Sequence, residues 1–244
     1  HNNSHVPVLL EAVLDVLAPQ SGETYLDLTV GYGGHASAIL EITGNAAGMT
    51  LVDRDSHAIG CLQTLKEQGA RLIHQDFAGV ATELADASKQ FDMILLDLGV
   101  SSPHLDNAER GFSFQTDAEL DMRMDNRQEL TAHIVVNEYS EAELTRVLKD
   151  YGEEPRAKQI AQAIIAQRPV RSTLQLAALV EEIYRRRGKT HPATRTFQAL
   201  RIAVNQELAQ LETTLPLLLQ LLQPGGRVVV ISFHSLEDRL VKNF

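Results

Sequence analysis

Acidic residues at the ends of short apolar runs, each followed by a turn, carry the first chemical signal in this chain. Asp27 precedes Leu28-Thr-Val-Gly-Tyr-Gly-Gly-His35, Asp53 closes Met49-Thr-Leu-Val52, Asp76 stands before Phe77, and Asp97 opens Leu98-Gly-Val-Ser-Ser-Pro-His104. Glycines between a strand and a helix tolerate positive φ and let the backbone approach a nucleotide closely. Asp53 follows Gly33 by 20 residues, where an acidic side chain can accept hydrogen bonds from both ribose hydroxyls. Its competing use is to cap the next helix, which Asp55 could do equally well. Asp76 and Phe77 could offer an adenine hydrogen bond and an apolar wall, or simply be a solvated carboxylate beside a core phenylalanine. The loop after Asp97 suits presentation of backbone carbonyls to a substrate amine, with a plain tight turn as the alternative.

NAD and S-adenosylmethionine share this adenosine geometry, and two features favour the methyl donor. The turn lacks the third glycine of GxGxxG, which a ligand without a pyrophosphate does not need. Asp27, just before the turn, could serve the cationic amino-acid end of such a ligand, and an acidic pocket suits a sulfonium and an ammonium better than a diphosphate.

The elements that position these residues follow from periodicity. Val8–Leu17, His35–Ile42 and Ser56–Gln68 read as helices. Tyr25–Val30, Met49–Val52, Arg71–His74 and Met93–Leu98 read as strands, so βαβ units and a parallel sheet covered on both faces are expected. The rhythm then stops. Ser140 with Glu143 and Ser172 with Gln175 fit capping boxes, and helices are expected at about 141–149, 154–167, 173–186 and 193–222, the last interrupted near Pro216. A further strand is expected over Arg227–Ser232. The organisation is thus an α/β domain, 1–106 and 201–244, holding a helical insertion, 107–200.

Composition bounds the function. Lys plus Arg number 22 against 32 Asp plus Glu, a net charge of −10, which argues against gripping nucleic acid by bulk electrostatics while leaving room for a local basic face. Between Asp106 and Arg201 the charges balance, 15 basic and 15 acidic, so an Arg-rich middle sits between acidic flanks. The single cysteine, Cys61, excludes a disulfide scaffold. No apolar run is long enough for a membrane helix and no signal peptide opens the chain, so a cytoplasmic protein without membrane partners is expected. His35, His104, His191 and His234 lack HxxH or HExxH spacing, so no metal site is expected.

The runs His5-Val-Pro-Val-Leu-Leu, Gly33-Gly34-His35, Val52-Asp-Arg-Asp55, Leu96-Asp-Leu-Gly-Val-Ser-Ser-Pro103, Glu109-Arg-Gly-Phe-Ser-Phe114, Leu120-Asp-Met-Arg-Met-Asp125, His191-Pro-Ala-Thr-Arg-Thr-Phe-Gln198 and Ser232-Phe-His-Ser-Leu-Glu-Asp-Arg239 closely resemble the ribosomal RNA small subunit methyltransferase H family, bacterial enzymes that methylate N4 of a 16S rRNA cytosine. The match runs from His5 to the last residue. The resemblance implies a Rossmann-like class I methyltransferase sheet with an inserted all-helical, RNA-recognising domain. It also implies S-adenosylmethionine as cofactor and the small ribosomal subunit as partner, with a homodimer left open. Cofactor contacts are implied for Gly33, Gly34, His35, Asp53, Phe77 and Asp97, and for position 104, where the family typically has Gln and this chain has His104. Family members also carry a basic tail and a further strand beyond the point matching Phe244.

Methyl transfer to an exocyclic amine needs alignment and acceptors on the two N–H groups, and no covalent intermediate; orientation alone can supply ~7–11 kcal/mol. Asp97 and the carbonyls of the Leu98–Pro103 loop are the expected acceptors, with Asp97 divided between cofactor and amine. Arg110, Arg123, His191, Arg195 and Arg201 are candidate RNA contacts, Phe112, Phe114 and Phe197 candidate stacking surfaces for an extruded base, and His234 with Glu237 a crevice-edge pair near the substrate. Core packing and local ion pairs compete for most of these. A nicotinamide-dependent oxidoreductase, a non-catalytic ribosome-assembly factor and a small-molecule methyltransferase remain alternatives. Calorimetric titration separates the first of them: S-adenosylmethionine and S-adenosylhomocysteine should both bind and Asp53→Ala should weaken both, whereas NAD should give no heat beyond dilution.

Overall fold

The computed structural model describes residues 7–100, 107–184 and 190–244. The chain divides into two compact units, His1–Gly99 with Leu208–Phe244, and Val100–Glu207. These boundaries lie within seven residues of the division expected at 106/107 and 200/201.

The first unit is built on five parallel strands in the order β3-β2-β1-β4-β5: β1 Tyr25–Asp27, β2 Met49–Asp53, β3 Arg71–His74, β4 Phe91–Asp97 and β5 Leu222–Ile231. Leu26 of β1 lies opposite Thr50 of β2 and Ile94 of β4. Strands buried on both faces read as near-continuous apolar runs, which is why Met93-Ile-Leu-Leu96 announces a strand. Its side chains alternate between two cores. Met93 and Leu95 join Tyr25, Met49 and Leu51 beneath α1 (Leu10–Leu17) and α2 (Gly34–Thr43). Ile94 and Leu96 join Leu26 and Val52 beneath α5 (Phe77–Asp86) and α11 (Glu207–Leu221). Two short helices, α3 Ser56–Cys61 and α4 Gln63–Glu67, divide at Leu62 what the periodicity reads as one helix. Arg227 fastens the amino-terminal helix to β5 through paired 2.7 Å bonds to Glu23 and a 2.7 Å bond to the Leu17 carbonyl.

The second unit is helical: α6 Ala132–Glu138, α7 Glu141–Gly152, α8 Ala157–Gln167, α9 Thr173–Tyr184 and α10 Thr194–Asn205 around one apolar core. Ser140 and Glu143 form the expected capping box. At Ser172 only half of one forms, because the Gln175 side chain accepts from the Arg171 amide instead. The long helix expected over 193–222 breaks at Gln206 (φ 51°), and Pro216 lies inside α11. Gln206 ends α10 in a left-handed cap whose amide donates to the Ile202 carbonyl. The chain tolerates Pro216 in place, where a proline costs one backbone hydrogen bond.

Where α7 crosses α10, Gly152 lies against its neighbour so closely that a Cβ would stand 2.7 Å from the Arg195 carbonyl oxygen. At Gly60, in the exposed helix α3, a Cβ would meet nothing within 4 Å. The two substitutions should therefore differ in sign in a urea titration. Gly60→Ala should stabilise by about 0.5–1 kcal/mol, and Gly152→Ala should destabilise by about 1–3 kcal/mol.

Candidate functional site

Strand order reverses between β1 and β4, the switch point where open α/β sheets leave a ligand crevice beyond the strand carboxyl ends. Asp27 ends β1, Asp53 ends β2 and Asp97 ends β4. The turn that follows β1 carries positive φ at Gly31 (53°) and Gly33 (80°). Gly31 N–H donates to Asp53 Oδ2 at 2.8 Å, tying the turn to the end of β2. Asp53 Oδ1 accepts from the Asp55 amide at 2.8 Å, while Asp55 itself caps α3 by accepting from the His57 amide. The capping alternative for Asp53 therefore falls to Asp55. Gly33 and Gly34 have a packing reason of their own. A Cβ on Gly33 would stand 2.6 Å from Leu62 Cδ2, and one on Gly34 would stand 2.3 Å from Pro7 Cγ.

Asp27, which the sequence offered to the cationic end of a cofactor, is turned into the fold. It is 1% exposed, accepts 2.7 Å and 3.1 Å hydrogen bonds from the Tyr25 hydroxyl and Thr29 amide, and is pushed to about 7 by burial. Asp97 is different. Its amide donates to Thr29 Oγ1 at 2.6 Å, but its carboxylate Oδ1 is buried without a hydrogen-bond partner among the described residues. Burial, and then the charge of Glu237, raises Asp97 to about 6. His35, at the start of α2, is 7% exposed, donates from Nε2 to the Val8 carbonyl at 2.9 Å, and is held neutral by burial. Its Nδ1 lies 3.9 Å from Asp97 Oδ2, beyond hydrogen-bond reach. An uncompensated carboxylate facing a neutral imidazole is a site for a cation or an N–H donor.

Asp76 caps α5 by accepting from Gly79, and Phe77, 6% exposed, is core with the Arg54 guanidinium 5.8 Å over its ring. His104 and the 101–103 loop lie outside the described residues, as does Arg185-Arg-Arg187. Two residues that act on Asp97, Thr29 by a hydrogen bond to its amide and Glu237 by its charge, escaped the sequence reading. Thr29 hides within the glycine turn. Glu237 was noted only as a crevice-edge residue, and it is 2% exposed beneath the loop after β5.

In the helical unit most candidate cations are engaged. Arg110 donates to the carbonyls of Arg123 and Met124 at 3.0 and 3.2 Å. Arg123 forks Asp121 at 2.8 Å through both nitrogens, and Arg201 forks Glu207 at 2.9 Å. His191 Nε2 is 2.7 Å from Glu181. Arg195 is exposed. Phe112 and Phe197 are 7% and 4% exposed and belong to the apolar core, with both also lining a cleft in this unit. Phe114, half-buried, stacks on His191 at 4.5 Å and rims a cleft of about 290 Å³ with Gln115, Thr194, Gln198 and Arg201. His234 caps α12 (Ser235–Asn243) by accepting from the Glu237 amide.

A doubly wound parallel sheet with a glycine turn at its switch point and acidic strand ends is a Rossmann-like arrangement of the α/β class, and the family match makes it a methyltransferase's. The chain belongs to the MraW methylase family, whose model matches residues 2–244. It is 48% identical to the ribosomal RNA small subunit methyltransferase H of Methylobacillus flagellatus, covering 99% of this chain and 77% of that one. To the protein of the same name from Dechloromonas aromatica it is 47% identical, covering 100% of this chain and 80% of that one. A solved rRNA methylase from Streptococcus thermophilus overlaps 45% of this chain and 65% of its own at 15% identity and TM-score 0.28, too slight an overlap to add to the fold.

A carboxylate whose pKa is raised in the folded state stabilises below its unfolded value and loses that contribution as pH rises through the folded one. For Asp97 the window runs from 3.8 to about 6. Asp97→Asn should thus raise stability at pH 8 by on the order of 1–3 kcal/mol. The gain should fade below pH 4 in urea melts, and an equal gain at both pH values would contradict the assigned environment.

Proposed function

We propose that the chain is an S-adenosylmethionine-dependent methyltransferase that modifies N4 of a cytidine in the 16S rRNA of the small ribosomal subunit, in the cytoplasm. The reading is carried by Asp97 Oδ1, buried and without a hydrogen-bond partner among the described residues, at the switch point of a methylase-family sheet. The cofactor fits the residues present: Gly31 and Gly33 shape the turn, Asp53 ends β2 beside that turn, and no lysine or arginine among the described residues balances the charge of Asp97.

S-adenosylmethionine supplies a methyl group on a sulfonium, an electrophile that needs no metal or covalent enzyme intermediate. Asp53 is assigned to the ribose hydroxyls, the Gly33-Gly34-His35 turn to the backbone contacts, and Phe77 to the outer wall of the adenine end. Asp97 is assigned to accept one N–H of the cytosine amine. That hydrogen bond orients the amine, and Asp97 Oδ1 would take up the proton that the amine must lose as its new N–C bond forms and the S–C bond to the departing thioether breaks. A carboxylate lifted to about 6 is a better base for this than an ordinary aspartate. His35, fixed by Val8, closes the other side of Asp97 without competing for its proton.

For the RNA face, the helical unit supports a shape-reading role more than a row of free cations. Arg110, Arg123 and Arg201 hold loops in place, Arg195 is the candidate for direct phosphate contact, and His191 with Phe114 and the adjoining cleft offers amide and hydroxyl groups to unpaired nucleotides. His234, expected to contact the substrate, caps α12 with a side chain 9% exposed, so any substrate role it has is secondary to that cap.

With small ribosomal subunits and labelled cofactor, Asp97→Asn should reduce methyl transfer on the order of 10²-fold or more while S-adenosylhomocysteine affinity changes little. Turnover retained in the variant would remove Asp97 from the chemistry. RNA binding without any methyl transfer by the native chain would instead favour an assembly factor.

A further inference from the structure

The aromatic surfaces expected to receive the target base, Phe112 and Phe197, are buried, and Phe114 is committed to His191. At the catalytic end of the sheet, a different aromatic stands open. Phe233 is 51% exposed, whereas Tyr25, Phe77 and Phe91 of the same unit are all under 9%. It follows β5 by two residues. Ile231, the last residue of β5, lies in register with Asp97, and its carbonyl accepts from the Leu98 amide at 3.0 Å. The Phe233 ring therefore stands at the same end of the β4–β5 pair as the Asp97 carboxylate.

Three features hold the ring there. Gly99, with φ 95°, leaves room beneath it: a Cβ at that position would come within 3.1 Å of Phe233 Cδ2. The Phe233 amide donates to Glu237 Oε2 at 2.8 Å, and Glu237 is itself buried at the start of α12. The same Glu237 charge acts on Asp97. One buried carboxylate thus bonds the backbone that carries the ring and influences the group assigned to the amine. A phenyl ring held half in water at this end of the sheet offers a flat apolar face to a planar partner.

We propose that Phe233 is the platform on which the target pyrimidine stacks, with Glu237 as the positioning residue that fixes its backbone. The inference rests on the methyltransferase reading above. Stacking on an aromatic face suits an extruded base, because every base presents a π-face, and the platform sets the plane in which the exocyclic amine meets Asp97.

The test is a series at position 233 assayed on small ribosomal subunits, with S-adenosylhomocysteine affinity and thermal midpoint measured alongside. Phe233→Tyr should stay within about threefold of the native kcat/KM. Phe233→Leu and Phe233→Ala should both fall about 10- to 100-fold, with cofactor affinity and midpoint unchanged. A leucine variant as active as the native protein would overturn stacking, since leucine keeps the apolar bulk and lacks the ring. A parallel loss of cofactor affinity would move the ring to the cofactor and overturn it equally. A native chain that methylates no subunit would fail the underlying reading instead, and is distinguishable because it appears before any substitution is made.

Discussion

Carboxylates that the fold buries without compensating cations are the constraint on which this site depends. Parallel strands must be covered on both faces, so residues at their carboxyl ends are partly withdrawn from water as soon as the helices pack. Asp27 and Asp97 end neighbouring strands at the switch point, and burial is the largest influence on each, raising one to about 7 and the other to about 6. The fold resolves the two differently. Tyr25 and Thr29 satisfy Asp27, which becomes part of the structure. Asp97 keeps an oxygen with no hydrogen-bond partner among the described residues, and the charge of Glu237 raises it further. Such an arrangement costs folding stability and returns it when a cation or an N–H donor arrives.

The supporting elements serve that arrangement. Gly31, Gly33 and the Asp53 carboxylate hold the turn after β1 open, and the packing of Pro7 and Leu62 against Gly34 and Gly33 shows that the turn is also a structural joint. His35 remains neutral and points its protonated nitrogen away, toward Val8. The helical unit has its own core and ties its arginines into loops, which suits a rigid surface that recognises RNA by form.

Much of the sheet was legible in the sequence. Apolar runs such as Met93–Leu96 bounded by turns could hardly be anything but buried strands, and the turn from Gly31 to Gly34 announced its own location. What was hidden depended on tertiary neighbours. Nothing local shows that Asp27 turns inward to Tyr25, because strand alternation is masked when both faces are buried. The helix Phe77–Asp86 passed unread behind the interest of Asp76 and Phe77, although Asp76 is an ordinary cap. Pro216 drew attention as a helix breaker, while the actual break at Gln206 carries no Gly or Pro to mark it. The arginines of the insertion read as RNA contacts because their acceptors are backbone carbonyls, which a sequence cannot display, or carboxylates whose pairing with them it leaves undecided. Phe233 was passed over for the opposite reason: exposure, like burial, is decided by what the fold leaves uncovered.

The central claim is that the buried Asp97 carboxylate, assigned to the amine, stands where positive charge develops in the reaction and feels the sulfonium as well, and proton linkage tests it most directly. Calorimetry of the native chain at pH 6, near the Asp97 midpoint, should be run in two buffers of different ionisation enthalpy. S-adenosylmethionine, bearing the sulfonium, should release more protons on binding than neutral-sulfur S-adenosylhomocysteine, and Asp97→Asn should abolish the difference. Equal proton release by the two ligands in the native chain would contradict the account.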